Sequence, residues 1–237
     1  MIRLLVSVRN VEEALAAAAG GADFIDLKEP GRGALGGLPV PTILEIVEAL
    51  RRQGSRLPVS ATIGDLPMHD LAAIQAQVHA VGECGVDYVK VGIERHADAG
   101  PVLSWLAGCG RPVVPVFIAD RGIEPTLVAH ALQLGFPGLM ADTADKRAGS
   151  LFDALDAHAL QAFVEPVRAQ GVMVGLAGAL RLQHLPALAA LVPDFAGFRS
   201  AVCVGERSAA LDPDLLHGLV AALRALQEQP ADTALSA

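Results

Sequence analysis

The sequence predicts an α/β fold, a (β/α)8 TIM barrel, and three observations carry that prediction. Short apolar runs alternate with helix-patterned segments eight times along the chain. The length, 237 residues, is close to the ~250 that such a barrel needs. No linker or shift in composition divides the chain, so one catalytic barrel domain is expected over residues 1–226. Eight pairs favour closure over an open doubly wound sheet, which is the alternative. Residues 227–237, beginning Gln-Glu-Gln-Pro, read as a flexible tail.

The elements follow in order. Ile2–Val8 is a strand, and Asn10 caps a helix that Gly20-Gly21 ends near Ala19. Asp23–Lys28 is the second strand and Pro41–Gln53 the second helix. Then come strand Val59–Ile63, helix Leu71–Cys84, strand Tyr88–Gly92 and helix Pro101–Ala107. Strand Val113–Ile118 precedes helix Pro125–Leu134, and strand Gly138–Asp142 precedes a helix expected over Ala154–Ala169. Strand Val172–Leu176, helix Leu182–Leu191, strand Phe195–Arg199 and helix Pro213–Leu226 complete the count. Gly21–Lys28 and Gly85–Gly92 echo each other, each a helix stop followed by a buried strand.

Composition narrows the function classes. Hydrophobic residues make up 52% and aromatics 4%, so the core is built from Ala, Val, Leu and Ile. A net charge of −8 argues against nucleic-acid or anionic-membrane partners, although a local basic pocket stays open. Cys84, Cys109 and Cys203 have no metal-type or redox spacing, which fits reduced thiols and a cytoplasmic location. The N-terminus runs straight into the fold with no signal peptide expected, and no apolar run reaches the ~20 residues of a membrane span. The seven histidines form no ligand pair, so no metal and no cofactor is expected. There is no dinucleotide fingerprint and no nucleophile elbow. Homo-oligomers are common among barrels, and Ala/Leu-rich helices permit one here.

Side chains alternate along a strand. The face opposite the apolar one puts Ser7, Lys28, Thr62, Lys90, Asp142 and Arg199 at one mouth, on six strands, with Asp26 next to Lys28 on its strand face. That mouth is the carboxyl end, where barrel active sites form. The chain holds only three lysines, Lys28, Lys90 and Lys146, and all follow or end predicted strands. Lysine becomes a nucleophile when desolvated or crowded by another cation, whereas arginine stays protonated. The plainer reading of each lysine is a fixed counter-ion. Asp142 lies four residues before Lys146, so the two meet if a turn forms there, as an acid/base pair or with Asp142 as a cap. The loops after strands seven and eight carry Gly178, Gly197 and Ser200, with Arg199 beside them, and suit phosphate. The glycine-rich loop Glu29–Gly37 reads as a lid, a second anion site or a plain turn.

Several ordered motifs together carry a resemblance: Asp26-Leu27-Lys28-Glu29-Pro30, Ser60-Ala61-Thr62-Ile63-Gly64-Asp65, Tyr88-Val89-Lys90-Val91-Gly92, Asp142-Thr143-Ala144-Asp145-Lys146 and Leu151-Phe152-Asp153, with Leu176-Ala177-Gly178 and Gly197-Phe198-Arg199. The chain resembles the (5-formylfuran-3-yl)methyl phosphate synthase family of methanofuran biosynthesis, from Met1 to about Leu226. The resemblance implies a TIM barrel that condenses two glyceraldehyde 3-phosphate molecules, with loss of phosphate and water, through a lysine Schiff base. It implies Lys28 as the imine lysine, Asp142 and Lys146 in acid/base work and Lys90 assisting. An enamine of one triose would attack the aldehyde of the other. Some members carry a further lysine near the fifth strand, where this chain has only Arg111 before it. Two competing readings are another metal-independent phosphosugar isomerase or aldolase-type barrel, and a non-catalytic phosphosugar-binding barrel.

Overall fold

The computed structural model describes residues 1–33 and 35–228. Eight parallel strands close into a barrel in sequence order: β1 Arg3–Val8, β2 Phe24–Leu27, β3 Val59–Thr62, β4 Tyr88–Ile93, β5 Val113–Ile118, β6 Gly138–Asp142, β7 Met173–Leu176 and β8 Phe195–Phe198. β8 returns to β1 with Arg3 opposite Phe195 and Val6 opposite Phe198. The helices are α1 Val11–Ala19, α2 Val40–Arg52, α3 Leu71–Gly82, α4 Ala99–Gly108, α5 Pro125–Gln133, α6 Leu151–Ala154, α7 Ala157–Ala169, α8 Leu185–Leu191 and α9 Pro213–Glu228. None is long and apolar enough to cross a membrane among the described residues.

Local chemistry explains most boundaries. Asn10, Asp70 and Asp156 each accept the amide three residues on, which satisfies an orphan donor at the starts of α1, α3 and α7. The single helix expected over Ala154–Ala169 is two. Ser150 and Asp153 form a capping box for the short α6, Leu155 is extended, and Asp156 caps α7 anew. The segment Leu182–Leu191 begins as a 3-10 turn at Leu182–His184 and becomes α8 only at Leu185, with a proline in the first turn. β8 ends at Phe198, one residue before the expected Arg199. α9 runs two residues beyond the expected 226, and residues 229–237 of the expected tail lie outside the described residues.

Alternation divides the strands into two cores. Val6, Ile25, Ala61, Leu139, Val174 and Ala196 are fully buried beneath the helices. Facing the axis, Leu5, Phe24, Val114, Val116, Met140 and Phe195 fill the barrel from below. Gly175 makes this packing possible, because a Cβ there would lie 2.0 Å from the Phe195 ring. Above this layer the inward positions turn polar, and there the site begins.

Candidate active site

Five charged side chains from strand ends β2, β4 and β6 converge above the apolar plug. Asp26 is the hub of one group. It accepts from Lys90 Nζ at 2.9 Å, from Ser60 Oγ at 2.7 Å and from Ser7 Oγ at 3.0 Å. The strand register brings these together, since Ser7, Asp26 and Ser60 sit opposite one another. Asp142 is the hub of the other group. Lys146 ion-pairs with one of its oxygens, and Lys28 Nζ approaches the other at 3.5 Å. Lys146 also donates to the carbonyl and hydroxyl of Thr143.

The Asp142–Lys146 contact arises in a loop rather than a helical turn, because no helix starts between Asp142 and Leu151. Asp142 also accepts the Thr143 amide at 2.8 Å, so it shapes that loop as well as pairing with lysine. Asp26 pairs with Lys90, not with its neighbour Lys28.

Electrostatics separates the roles. Burial would raise the pKa of Asp26, but Lys90, Lys28 and the Lys90 and Ser60 hydrogen bonds outweigh it and hold the carboxyl below its ordinary range. Asp142 behaves likewise: burial opposes ionisation, yet Lys146 and Lys28 bring it down to about 2. Lys146 is lowered to about 8, chiefly by burial and against the pull of Asp142, with Lys28 and Arg207 adding repulsion. Its side chain is 7% exposed. Three lysines face two carboxylates here, an excess of one positive charge when all are ionised. Such a cluster suits an anionic substrate and repeated proton transfer.

A chamber of about 30 Å³ is lined by Ser7, Lys28, Asp142, Lys146 and the β7 and β8 loops, including Gly178, Gly197, Arg199 and Ser200. It adjoins a cavity of about 990 Å³, with Lys146, Ser200 and Arg207 lining both. Gly178 adopts φ +120 and Ala179 φ +47, and no protein group among the described residues accepts their amides. Both residues line the chamber, so their amides are donors that an anion bound there could engage. Gly197 belongs to β8 itself. A Cβ there would lie 3.1 Å from Ala177 and 3.3 Å from Leu5 and Met140, so its missing side chain makes room.

Thr62 and Arg199 are placed differently from the other polar residues at the mouth. Thr62 is fully buried and donates to Gly36 O, bracing the loop after β2. That loop folds inward: Leu35 is 1% exposed, and its amide donates to Asp65. Alternation stops with β8, and Arg199 turns away with φ −133 and ψ −56. Its guanidinium makes a two-pronged ion pair with Glu13 of α1, at 2.6 and 3.1 Å, and donates to the carbonyls of Ser7, Arg207 and Ala209. Arg199 is thus a tether beside the chamber. Arg111 lies outside the site, bound to Gly82 O and Glu83 near the end of α3. Glu13 and Arg207 escape sequence reading. Glu13 follows Asn10 by three residues and looks like an ordinary capping position, and Arg207 lies in a loop without pattern. Among the described residues, no group of His, Cys, Asp and Glu is arranged to hold a metal ion.

Comparison with known proteins gives this geometry a family. The family model described as 4-HFC-P synthase matches residues 4–220. A Methylorubrum extorquens protein that provisionally carries the name (5-formylfuran-3-yl)methyl phosphate synthase is 40% identical over 224 residues, covering 94% of this chain and 92% of its own. The (5-formylfuran-3-yl)methyl phosphate synthase of Archaeoglobus fulgidus is 35% identical over 240 residues, covering 94% and 99%. Among solved structures, a phosphoribosyl anthranilate isomerase from Thermus thermophilus superposes with a TM-score of 0.66 at 20% identity, over 95% of this chain and all of that one. That likeness shows the barrel fold alone. By the family match over most of its length and by the identity to its relatives, the chain belongs to the 4-HFC-P synthase family.

Proposed function

We propose that the chain condenses two molecules of glyceraldehyde 3-phosphate into (5-formylfuran-3-yl)methyl phosphate, a carbon–oxygen lyase reaction run through an imine on Lys28 without a cofactor. The observation that carries this reading is the state of Lys28. It is 6% exposed and lines the chamber, and among the described residues its amine has a single polar partner, at 3.5 Å, a carboxylate that Lys146 also grips. Lys90, by contrast, is engaged by Asp26 at 2.9 Å. A buried amine with one long contact is the one best able to leave its partner and attack a carbonyl. The three free cysteines fit a reducing, cytoplasmic setting.

The product's substitution pattern dictates which carbons join. Its ring carbon bearing the phosphorylated methylene has three carbon neighbours, so the skeleton is branched. Attack on a terminal aldehyde, the simpler expectation, would give a linear chain. The new bond therefore forms at the middle carbon of the triose that keeps its phosphate, after that triose has isomerised from aldehyde to ketone. Lys28 adds to the aldehyde of the other triose and expels water, leaving a cationic iminium. Neutral Lys146 removes the proton from the adjacent carbon, and the resulting electron pair expels phosphate from the third carbon. The enol that remains attacks the ketone. The primary hydroxyl of the second triose, the one that keeps its phosphate, then adds to the carbonyl carbon next to the imine to close the ring. The ring loses its two hydroxyls as two waters to become the furan. Hydrolysis of the imine returns the water lost when it formed, frees Lys28 and restores the aldehyde. Atoms balance as two trioses giving one furan, one phosphate and two waters.

The pKa pattern supports a division of labour. A carboxylate at about 2 is a weak base but a lasting counter-charge, so Asp142 faces the iminium. A lysine at about 8 exchanges protons near neutrality, so Lys146 carries them. The Gly178–Ala179 amides and Ser200 supply a phosphate cradle.

The test is to incubate the purified protein with glyceraldehyde 3-phosphate, add borohydride and map the modified peptide by mass spectrometry, with furan absorbance followed in an untreated sample. An adduct on Lys28 together with furan formation is expected. Furan without a lysine adduct would discard the imine. An adduct without furan would point to an aldolase-type or isomerase barrel. Neither signal from folded protein would leave a phosphosugar-binding barrel.

A further inference from the structure

We propose that Arg207 is a phosphate-recognition residue of this site and receives the phosphate that departs from the first triose. The inference rests on the condensation reading, because that chemistry requires a leaving phosphate as well as a retained one. Arg207 lines both the inner chamber, with Lys28, Asp142 and Lys146, and the outer cavity. It therefore stands where a group leaving the chamber must pass.

The guanidinium is unengaged. Among the described residues Lys28, Lys90, Lys146 and Arg199 all have ion-pair partners, whereas the Arg207 side chain has neither a hydrogen bond nor an ion pair. Asp142, Asp65 and Glu29 act on it only at longer range, with Arg199 repelling it, and burial pushes its pKa below the usual guanidinium value. A half-buried cation without a partner is costly unless an anion arrives to pair with it. A guanidinium also matches a phosphate's geometry with two parallel donors.

Its backbone is held while its side chain is not. Arg199 donates from Nε to the Arg207 carbonyl at 2.8 Å and from Nη2 to the Ala209 carbonyl at 2.6 Å. Arg199 is fixed in turn by Glu13, which also accepts the Arg9 and Leu211 amides and has the Arg9 guanidinium at 3.7 Å. The buried Glu13–Arg199 pair thus pins the loop on both sides of Ser208 and presents Arg207 to the chamber. The Gly178–Ala179 cradle lies on a different loop, so the site offers one anion partner for each of the two phosphates.

The full-length protein and its Arg207→Gln and Arg207→Lys variants test this. Binding of inorganic phosphate is measured by calorimetry, and the borohydride-trapped Lys28 adduct is weighed with and without its phosphate. Arg207→Gln should weaken phosphate binding by about tenfold or more, slow furan formation, and accumulate the adduct that still carries phosphate. Arg207→Lys should recover part of each. The melting temperature without phosphate should not fall in Arg207→Gln, because the side chain holds nothing in place and its unpaired charge is removed. Equal phosphate binding by wild type and Arg207→Gln, or no binding by either, overturns the proposal. Failure to trap any Lys28 adduct in the wild type would sink the imine reading instead and leave the phosphate measurement to decide on Arg207.

Discussion

Replacing Asp142 by Asn keeps the side-chain shape and an oxygen for the Thr143 amide, but removes the charge between Lys28 and Lys146. Lys146, at about 8, is mostly protonated at pH 7. Keeping that proton is worth about 1.4 kcal/mol relative to the neutral amine at pH 7, and about 0.1 kcal/mol at pH 9. Without Asp142, the pull that raises the lysine is gone and its pKa falls further. The Lys146 share of the stability loss is therefore at most about 1.4 kcal/mol at pH 7 and close to zero at pH 9. A second arm runs at low pH. The folded value of Asp142 lies below the unfolded one, so its contribution is complete above 3.8 and disappears as pH falls through about 2, a loss of roughly 2.5 kcal/mol. Urea unfolding of wild type and Asp142→Asn at pH 3, 7 and 9 reads both arms. The variant should be penalised more at pH 7 than at pH 9, and should lose less stability on acidification. A penalty that is equal or larger at pH 9 would refute the account of Lys146 as a buried lysine held by Asp142.

Three further outcomes follow from other contacts. Furan formation should rise through a limb near pH 8 as Lys146 deprotonates, and Lys146→Arg should abolish that limb along with most of the rate; a limb that survives in the variant assigns it to another group. On the stability side the sign is fixed by the lowered folded value: the unfolded chain binds more protons between about 8 and 10.5, so stability from this group grows as pH rises across that window. Glu13→Gln should destabilise by about 3–5 kcal/mol in chemical unfolding, since it leaves Arg199 buried without its counter-charge; a change below about 1 kcal/mol would show the pair to be dispensable. Gly175→Ala should lower stability by about 1–3 kcal/mol or more, because its Cβ would overlap the Phe195 ring, and thermal unfolding measures it.

Period-two alternation carries far in this chain because a closed parallel barrel buries both strand faces, so a polar residue on the inner face stands out. It brings Ser7, Asp26, Lys28, Lys90 and Asp142 into one neighbourhood from sequence alone, and the register sets Ser7 opposite Asp26 and Lys90 opposite Thr62. The rule carries one residue past β2, where the Lys28 amide still donates to Val8 O, and fails where the backbone leaves the extended region. At Arg199 the strand has ended, so extrapolating alternation by one residue aimed the side chain at the axis when it turns to Glu13. Pairing between carboxylates and lysines was equally hidden. Asp26 and Lys28 are near in sequence, but Lys90, reaching in from β4, takes Asp26 at 2.9 Å.

What the sequence conceals most completely is the second tier that positions the loops. Glu13 stands at the third position of a helix whose cap is Asn10, where an acid is expected for reasons of helix start alone. Its carboxylate does accept the Arg9 amide, and it also anchors Arg199 and, through it, the loop that carries Arg207. One residue thus serves a local rule and a contact 186 residues away. Pattern reading stops at the local rule because that rule already accounts for the residue. The physical sign of the second role is burial: Glu13 is 4% exposed on the first turn of an outer helix, where a capping acid serving only its helix would face water. A carboxylate so placed needs a cation, and the cation it holds, Arg199, opens the loop after β8 that completes the site.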